Sequence, residues 1–571
     1  MAGGFQVSGH NPAAPFSLKM HRGEGMVLVA MNWKKGKPPL DFVGFAIEYK
    51  EPGGDRFFAL KNRLAFPLAG GAVNANTFST RLSPIQKFRW IHFPRNADMP
   101  GEFTYRVTPV FMNALGELSY GEPQVAAIEL RGETFLNKIN VAFSRGFVSS
   151  QAFVDRFVSK GPISTLLPAS SDEGLGFVPT HPQAGEALAW MGFEARSAII
   201  EVLDRAIADT KAKVRVIAYD LNEPGIVTRL EKLGTRLRII VDDSDAHGEA
   251  TSGETQAAAR LVASAGAANL KRHHVGQLQH NKVIVVDGPK GRAAVCGSTN
   301  FSWRGFFVQA NNAVVLRSRT AVTLFADAFE RYFAGGNSAS AFAATPSSVL
   351  TSLGISQVDA SVAFSPHAGA NAMLATIAAD IDTGTTSSLF YSLAFLFQTP
   401  GAMQNAIRTV MADTTRFVVG ISDKKVGGLD VQTASGTVSP VFSAALEANV
   451  PEPFKSEPKG GGGTRMHHKF VVIDFDKPTA RVYLGSYNFS ATADTKNGEN
   501  LLVIRNRRIA VAYMVEALRI FDHYEFRVVQ DKAGATKKLQ LKKPPSTPGA
   551  QPWWAEDYTN PRKIKDRELF S

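Results

Sequence analysis

The chain is poor in several features that would have placed it quickly. Among 571 residues there is one cysteine, Cys296, so no intrachain disulfide can form and the disulfide framework of a small secreted domain is excluded. Cys296 lies between a β-like run and Gly297, where burial is expected. No apolar stretch approaches the roughly 18 residues that a membrane-spanning helix requires. The opening M-A-G-G-F-Q-V-S-G-H-N-P lacks the basic and apolar regions of a secretory signal. Cytoplasmic residence is the default expectation, with export by a signal-independent route left open. Acidic residues are in deficit, 51 against 63 Lys and Arg, for a net charge of +12. That balance points to polyanionic partners, lipid headgroups and nucleic acid alike, and does not choose between them.

One pattern, by contrast, occurs twice. H-N-K-V-I-V-V-D at 280–287 and H-H-K-F-V-V-I-D at 467–474 stand 187 residues apart, and each reads His-x-Lys-x4-Asp. G-S-T-N-F-S follows from Gly297 and G-S-Y-N-F-S from Gly485, 17 and 18 residues after their histidines. Such a repeat implies two copies of one supersecondary unit sharing a site. Side chains two apart on a strand share a face, so His280 lies with Lys282 and His467 with Lys469. The runs Val283–Val286 and Phe470–Ile473 read as buried strand. Asp287 and Asp474 fall at odd offsets, facing away or past the strand end, which makes them supporting rather than reactive.

Doubling brings two imidazoles, two ammoniums and two carboxamides to one spot, a pocket suited to an anion. The lysines supply charge, while Ser298, Asn300, Ser486 and Asn488 are the expected phosphate-binding contacts. Imidazole titrates near neutral pH, so one histidine can attack phosphorus while the other protonates the leaving oxygen. A metal held by His280, His467, Asp287 and Asp474 would be repelled by the lysine on each strand. No metal and no cofactor is expected.

The duplicated His-x-Lys-x4-Asp with its downstream Gly-Ser-x-Asn resembles the signature of the phospholipase D superfamily. The likeness extends to N-V-A-F-S-R-G-F-V-S-S-Q-A-F-V-D-R-F at 140–157 and S-V-A-F-S-P at 361–366, which look like the openings of the two halves in the bacterial, cardiolipin synthase-like branch. The resemblance implies a phosphodiesterase or phosphatidyltransferase working through a phosphohistidine without metal. It implies His280 as nucleophile and His467 as general acid, an order the residues themselves do not assign. Family members also place an acidic residue downstream of each histidine to hold its imidazole. Here N-G-E-N supplies Glu499 but Q-A-N-N supplies Asn311, an asymmetry similar to that of tyrosyl-DNA phosphodiesterases. Pairing each with the histidine of its own half, Asn311 is expected to orient His280 and Glu499 to hold His467, leaving His280 the less basic.

Residues 20–131 carry a different pattern. Phe45, Ile47 and Tyr49 alternate, as do Phe103, Tyr105 and Val107, which suggests an antiparallel β-sandwich resembling a fibronectin type III domain. The expected organisation is an N-terminal segment 1–19, the sandwich 20–131, a first catalytic half 135–345, a second 346–530 and a basic tail 531–571. The fold class is α/β: two pseudo-twofold-related halves, each a largely parallel sheet with outer helices, preceded by an all-β domain. In the tail, the lysines of 537–543 are expected to be solvated, whereas Trp553, Trp554 and Tyr558 favour docking. His273, His274 and His468 are expected to be solvent-facing or packing residues. Gly460–Gly463 reads equally as a lid or a slack loop, and Trp303, Phe306 and Phe307 as a rim or as core. The leading expected substrate is a phospholipid at a membrane surface, the alternative a nucleic acid, and a third reading is a silent phosphate-binding protein. A monomer suffices, because both half-sites lie on one chain.

Overall fold

The computed structural model describes residues 4–72, 74, 76–130, 132–146, 153, 156–422, 466–533 and 539–571. These fall into two compact units: the residues up to Gly132 with Val511–Ser571, and those from Glu133 to Ala510. Gly460–Gly463, and parts of the 140–157 and 537–543 segments, lie outside the described residues.

In the first unit the alternation of Phe42–Lys50 and Glu102–Met112 produces paired antiparallel strands. One sheet orders Gln6–Ser8, Phe16–Gly23, Met26–Trp33 and Arg89–His92, and the other Leu118–Tyr120, Glu102–Met112, Phe42–Lys50 and Phe58–Ala59, with Gln124–Glu129 also on Glu102–Met112. Their apolar sides share a core containing Phe16, Phe45, Phe103 and Tyr105. Strands begin before residue 20, and the residues from Val511 group with this unit, so both differ from the expected boundaries at 20 and 530. Neither border carries a break in composition. Trp554 belongs to the same core, and Trp553 stacks on Phe88 at 5.3 Å while its Nε1–H donates to Phe42 O at 3.0 Å.

The second unit holds two seven-stranded sheets. The first runs Ile139–Phe143, Asn312–Leu316, Gly291–Gly297, Lys282–Gly288, Lys213–Ala218, Leu237–Val241, Leu270–Arg272. The second repeats that logic as Thr351–Ser352, Asp359–Ser365, Glu499–Arg505, Arg481–Gly485, Lys469–Ile473, Ser388–Leu393, Phe417–Ser422. Helices cover them, so the unit is mixed α/β and duplicated. Helix Ala184–Ala208, kinked at Phe193, buries Ala195, Ile199, Val202 and Ala206 at helical spacing beyond the kink, and Ser252 and Ser318 cap Gly253–Ala265 and Arg319–Gly335 through their hydroxyls.

The sheets are not largely parallel, as the alternating strand and helix pattern had suggested. Among the described residues only the strands Lys213–Ala218 with Leu237–Val241, Leu237–Val241 with Leu270–Arg272, and Ser388–Leu393 with Phe417–Ser422 pair in parallel. Each His-x-Lys strand turns back directly into the strand ending in Gly297 or Gly485, and a tight turn can join only antiparallel neighbours. Trp303, Phe306 and Phe307 are core, buried with the first-half helices. Among the described residues no helix is long and apolar enough to cross a membrane.

Candidate active site

The two His-x-Lys segments meet where the halves face each other. The rings of His280 and His467 lie 6.4 Å apart between centroids, a separation that leaves room for a phosphoryl group between them. Lys282 Nζ donates to the His280 carbonyl, and Lys469 Nζ to His467 O at 2.9 Å, with His467 Nε2 3.0 Å away. Tyr219 packs edge-on to His280 and lies under the Lys282 ammonium at 4.5 Å; Phe395 takes the matching place beside His467 and Lys469.

The partners of the imidazoles cross between halves. Glu499 Oε2 lies 2.7 Å from His280 Nδ1, and Asn311 Oδ1 lies 2.8 Å from His467 Nδ1. This overturns the expected same-half pairing. Its cause is contact across the interface: between backbones Gly498 N donates to Leu278 O at 2.8 Å and His467 N to Ala310 O at 3.1 Å, and between side chains Asn500 Nδ2 donates to Asn281 Oδ1 at 2.8 Å. Each strand end therefore delivers its side chain to the other repeat.

Burial sets the charge of the empty site. It pushes His280 down to about 4, with Glu499 opposing the shift and Lys282 and Lys469 adding to it. His467 is also well below the ordinary histidine value, through burial first and then Lys469, Lys282 and His280, with no carboxylate to oppose them. Its partner thus makes His280 the better supported as a cation, the reverse of the sequence expectation. Burial likewise lowers Lys282 to about 7 and Lys469 well below its usual range. An arriving anion restores the charge that burial disfavours.

The remaining expected residues divide. Asn300 and Asn488 line the cleft, and neither Oδ1 has a hydrogen-bond partner among the described residues. Ser298 and Ser486, expected beside them, are turned away: their hydroxyls accept from the backbone N–H of Asn312 and Asn500, each at 3.0 Å. The glycines before them, at φ +129° and +142°, allow that close approach, since a Cβ there would strike Asn312 O or Asn500 O. Asp474 is buried and accepts from the N–H groups of Thr386, Ser387 and Ser388. Asp287 is exposed and holds only Arg292 at 2.7 Å, so it supports a strand end and not the site. His273 and His468 are buried, and His274 pairs with Asp243 at 2.8 Å.

Sequence reasoning missed a polar group on the first-half side. Tyr219 and Asp220 follow the strand Lys213–Ala218, and Asp242 follows Leu237–Val241. The signal was their place at the C-terminal ends of parallel strands, where ligand sites gather. His247 lies 3.1 Å from Asp220 and 2.9 Å from Asp242. Burial would lower its pKa, but those carboxylates outweigh it and raise it to about 10. Asp220, His247 and Glu254 bring one potential ligand atom each within 4.8 Å and are the residues that could hold a cation. Both nitrogens of His247 face carboxylates, an arrangement a proton already satisfies. The cleft, about 840 Å³, has a first-half wall with Asp220, Asp245, His247, Glu254 and Arg304 and a second-half wall with Leu374, Phe395, Pro400, Met403 and Phe489.

The family described as cardiolipin synthase, PLD-like domain, matches residues 203–333 and 407–521. Phospholipase D of Rickettsia felis is 42% identical over 48 residues, 8% of this chain and 22% of that protein; the Rickettsia prowazekii phospholipase D is 40% identical over the same shares. The match thus spans about a fifth of those relatives' length. Among solved structures, phosphatidylserine synthase of Haemophilus influenzae Rd KW20 is 15% identical, with a TM-score of 0.39, covering 65% of this chain and 92% of its own. Nuc of Salmonella typhimurium, a phospholipase D family member, is 22% identical, with a TM-score of 0.17, covering 30% of this chain and 96% of its own.

Proposed function

Because the chain belongs to the phospholipase D superfamily, we propose that it is a metal-independent phosphodiesterase that hydrolyses or transfers phospholipid phosphodiesters through a phosphohistidine. The observation that carries this reading is the pair of facing imidazoles, each with its own lysine and each held through Nδ1. Holding Nδ1 turns Nε2 of each ring to the reaction, that of His467 beside the Lys469 ammonium at 3.0 Å.

In the proposed sequence His280 Nε2 attacks phosphorus and the bond from phosphorus to the leaving alcohol breaks. His467 gives its Nε2 proton to the departing oxygen. The new phosphoimidazolium is cationic, and the Glu499 carboxylate at Nδ1 stabilises it. Asn311 fixes His467 without adding negative charge, so the protonated ring remains a ready donor. Water or a second alcohol then gives its proton to neutral His467 and attacks phosphorus, which frees His280. Lys282, Lys469, Asn300 and Asn488 are the proposed contacts of the non-bridging oxygens.

The walls favour lipid over nucleic acid. A nucleic acid carries further phosphates on both sides of the scissile one, and a basic track would suit it. Among the described residues Asp220, Asp245 and Glu254 stand with His247 and Arg304 on one wall, and Leu374, Phe395, Met403 and Phe489 with Gln398, Thr399 and Thr492 on the other, which suits an isolated phosphodiester joined to polar and apolar groups. The second reading, a nucleic-acid phosphodiesterase, draws on the net charge of +12. Parallel assays of wild type and His467→Ala on mixed phospholipid vesicles and plasmid DNA, both in EDTA, test the two. Headgroup or phosphatidic acid release that vanishes in the variant is expected. DNA nicking with intact lipid would replace this reading with the second, and silence on both would leave a phosphate-binding protein.

A further inference from the structure

A chain of hydrogen bonds runs behind the first half-site and ends on Asn300. The N–H of Gln279, the residue before His280, donates to Asp242 Oδ1 at 2.7 Å. Asp242 Oδ2 lies 2.9 Å from His247 Nδ1, His247 Nε2 lies 3.1 Å from Asp220 Oδ1, and Asp220 Oδ2 accepts from Asn300 Nδ2 at 2.7 Å. From this geometry we infer that Asp220 is a positioning residue: braced by His247 and Asp242, it turns the Asn300 carboxamide so that its second N–H meets the phosphoryl oxygen. The inference rests on the phosphodiesterase reading above.

The polarity of the chain makes the orientation definite. Each ring nitrogen of His247 faces a carboxylate oxygen at hydrogen-bond distance, Nδ1 that of Asp242 at 2.9 Å and Nε2 that of Asp220 at 3.1 Å. A cationic imidazole donates from both nitrogens, so Asp220 and Asp242 accept. Asp220 Oδ2 can then be met only by a donor, which places the amide nitrogen of Asn300, not its oxygen, against the carboxylate. The Ser302 hydroxyl reinforces this from 3.4 Å. One N–H of the amide is used and the other is aimed in advance, so no reorganisation is needed when the phosphate arrives. Anchoring the same chain at Gln279 fixes the amide relative to the nucleophile. The matching Asn488 makes no side-chain hydrogen bond among the described residues, so the repeat carries one braced amide and one unbraced.

A double-mutant cycle on inorganic phosphate binding tests this, using the full chain and isothermal titration at pH 7. Asn300→Ala and Asp220→Ala are each expected to weaken phosphate by about tenfold or more, as befits a hydrogen bond to a charged group. The double variant should bind within about threefold of Asn300→Ala alone. Losses that multiply, or an unchanged Asp220→Ala, would overturn the inference while leaving the phosphodiesterase reading intact. If Asp220→Ala does not fold, Asp220→Asn keeps the shape and removes the charge. Its loss, too, should disappear in the Asn300→Ala background, and persistence there overturns the inference. With vesicle substrate, the Asp220→Ala loss should fall on both KM and kcat, and it should be absent once Asn300 is gone. A wild type that binds no phosphate would sink both the inference and the function it rests on.

Discussion

Glu499 and His280 come from opposite repeats, yet the carboxylate of one meets the imidazole of the other at 2.7 Å. In the proposed mechanism the charge, more than the hydrogen bond, is what the phosphohistidine requires. Glu499→Gln keeps an acceptor and removes the charge, and it should slow intermediate formation by about 10- to 100-fold, as loss of a carboxylate behind a working histidine commonly does. Rapid-quench measurement of the phosphorylated enzyme checks this, and an unchanged rate would assign Glu499 a purely structural place.

The reciprocal change acts on the proton donor. Asn311→Asp places a carboxylate 2.8 Å from His467 Nδ1 and should raise the pKa of that ring. In the proposed mechanism activity requires protonated His467 in the first step, so it falls as pH rises through that pKa. The falling limb of kcat/KM against pH should move to higher pH by about one unit, the scale of a single nearby charge. An unmoved limb would separate His467 from proton donation.

The two histidines should separate on a substrate with an acidic leaving group. A p-nitrophenyl phosphodiester needs no proton at its leaving oxygen. His467→Ala should therefore retain a burst of p-nitrophenol while losing about 100-fold or more on phospholipid, in the range of general acid catalysis. His280→Ala should lose both. A burst in His280→Ala would reverse the roles.

The paired aspartates should differ in stability effects although they occupy matching motif positions. Asp474→Ala removes a buried carboxylate that accepts from three N–H groups of 386–388 and should cost more than about 2 kcal/mol. Asp287→Ala breaks one exposed ion pair and should change stability by less than about 0.5 kcal/mol. Denaturant unfolding of both variants decides it.

Acid should weaken the unliganded protein through His280. Its pKa of about 4 in the fold lies below the unfolded value of 6.5, so the folded state binds fewer protons between them. This stabilisation is present above pH 6.5 and is lost as pH falls through 4, by about 3 kcal/mol in all. His280→Gln should flatten that part of the stability profile, and inorganic phosphate should raise the midpoint of the wild type by binding the folded state. A variant with the wild-type slope would refute the assignment.

The meeting of the two His-Lys pairs was legible because each pair is local. His and Lys two apart on a strand share a face wherever that strand is placed, and the doubling of the motif announced a shared pocket. The crossed partners were not legible, because spacing along the chain says nothing about which repeat a strand end will meet. Ser298 and Ser486 misled for a related reason: a hydroxyl beside a functional asparagine serves equally well to tie down Asn312 or Asn500. The sheet direction was misread because helices between strands suggested crossovers, while the hairpins joining 282–288 to 291–297 and 469–473 to 481–485 reverse the chain. Asp220, His247 and Asp242 come from separate loops and form no motif. Their relation exists only once the parallel strands lie side by side.

The first unit is built from sequence at opposite ends of the chain. Trp554 fills the core beside Phe16 and Phe45, and the Phe570 carbonyl is 2.6 Å from the ring of His21. On the ribosome, the strands before residue 130 must wait through the synthesis of both repeats before their last core residues emerge. Until then Phe42 and Phe88 lack the indole that covers them. Completion of this unit therefore waits on synthesis through residue 553, and chains cut short before it expose an unfinished apolar surface to chaperones and proteases.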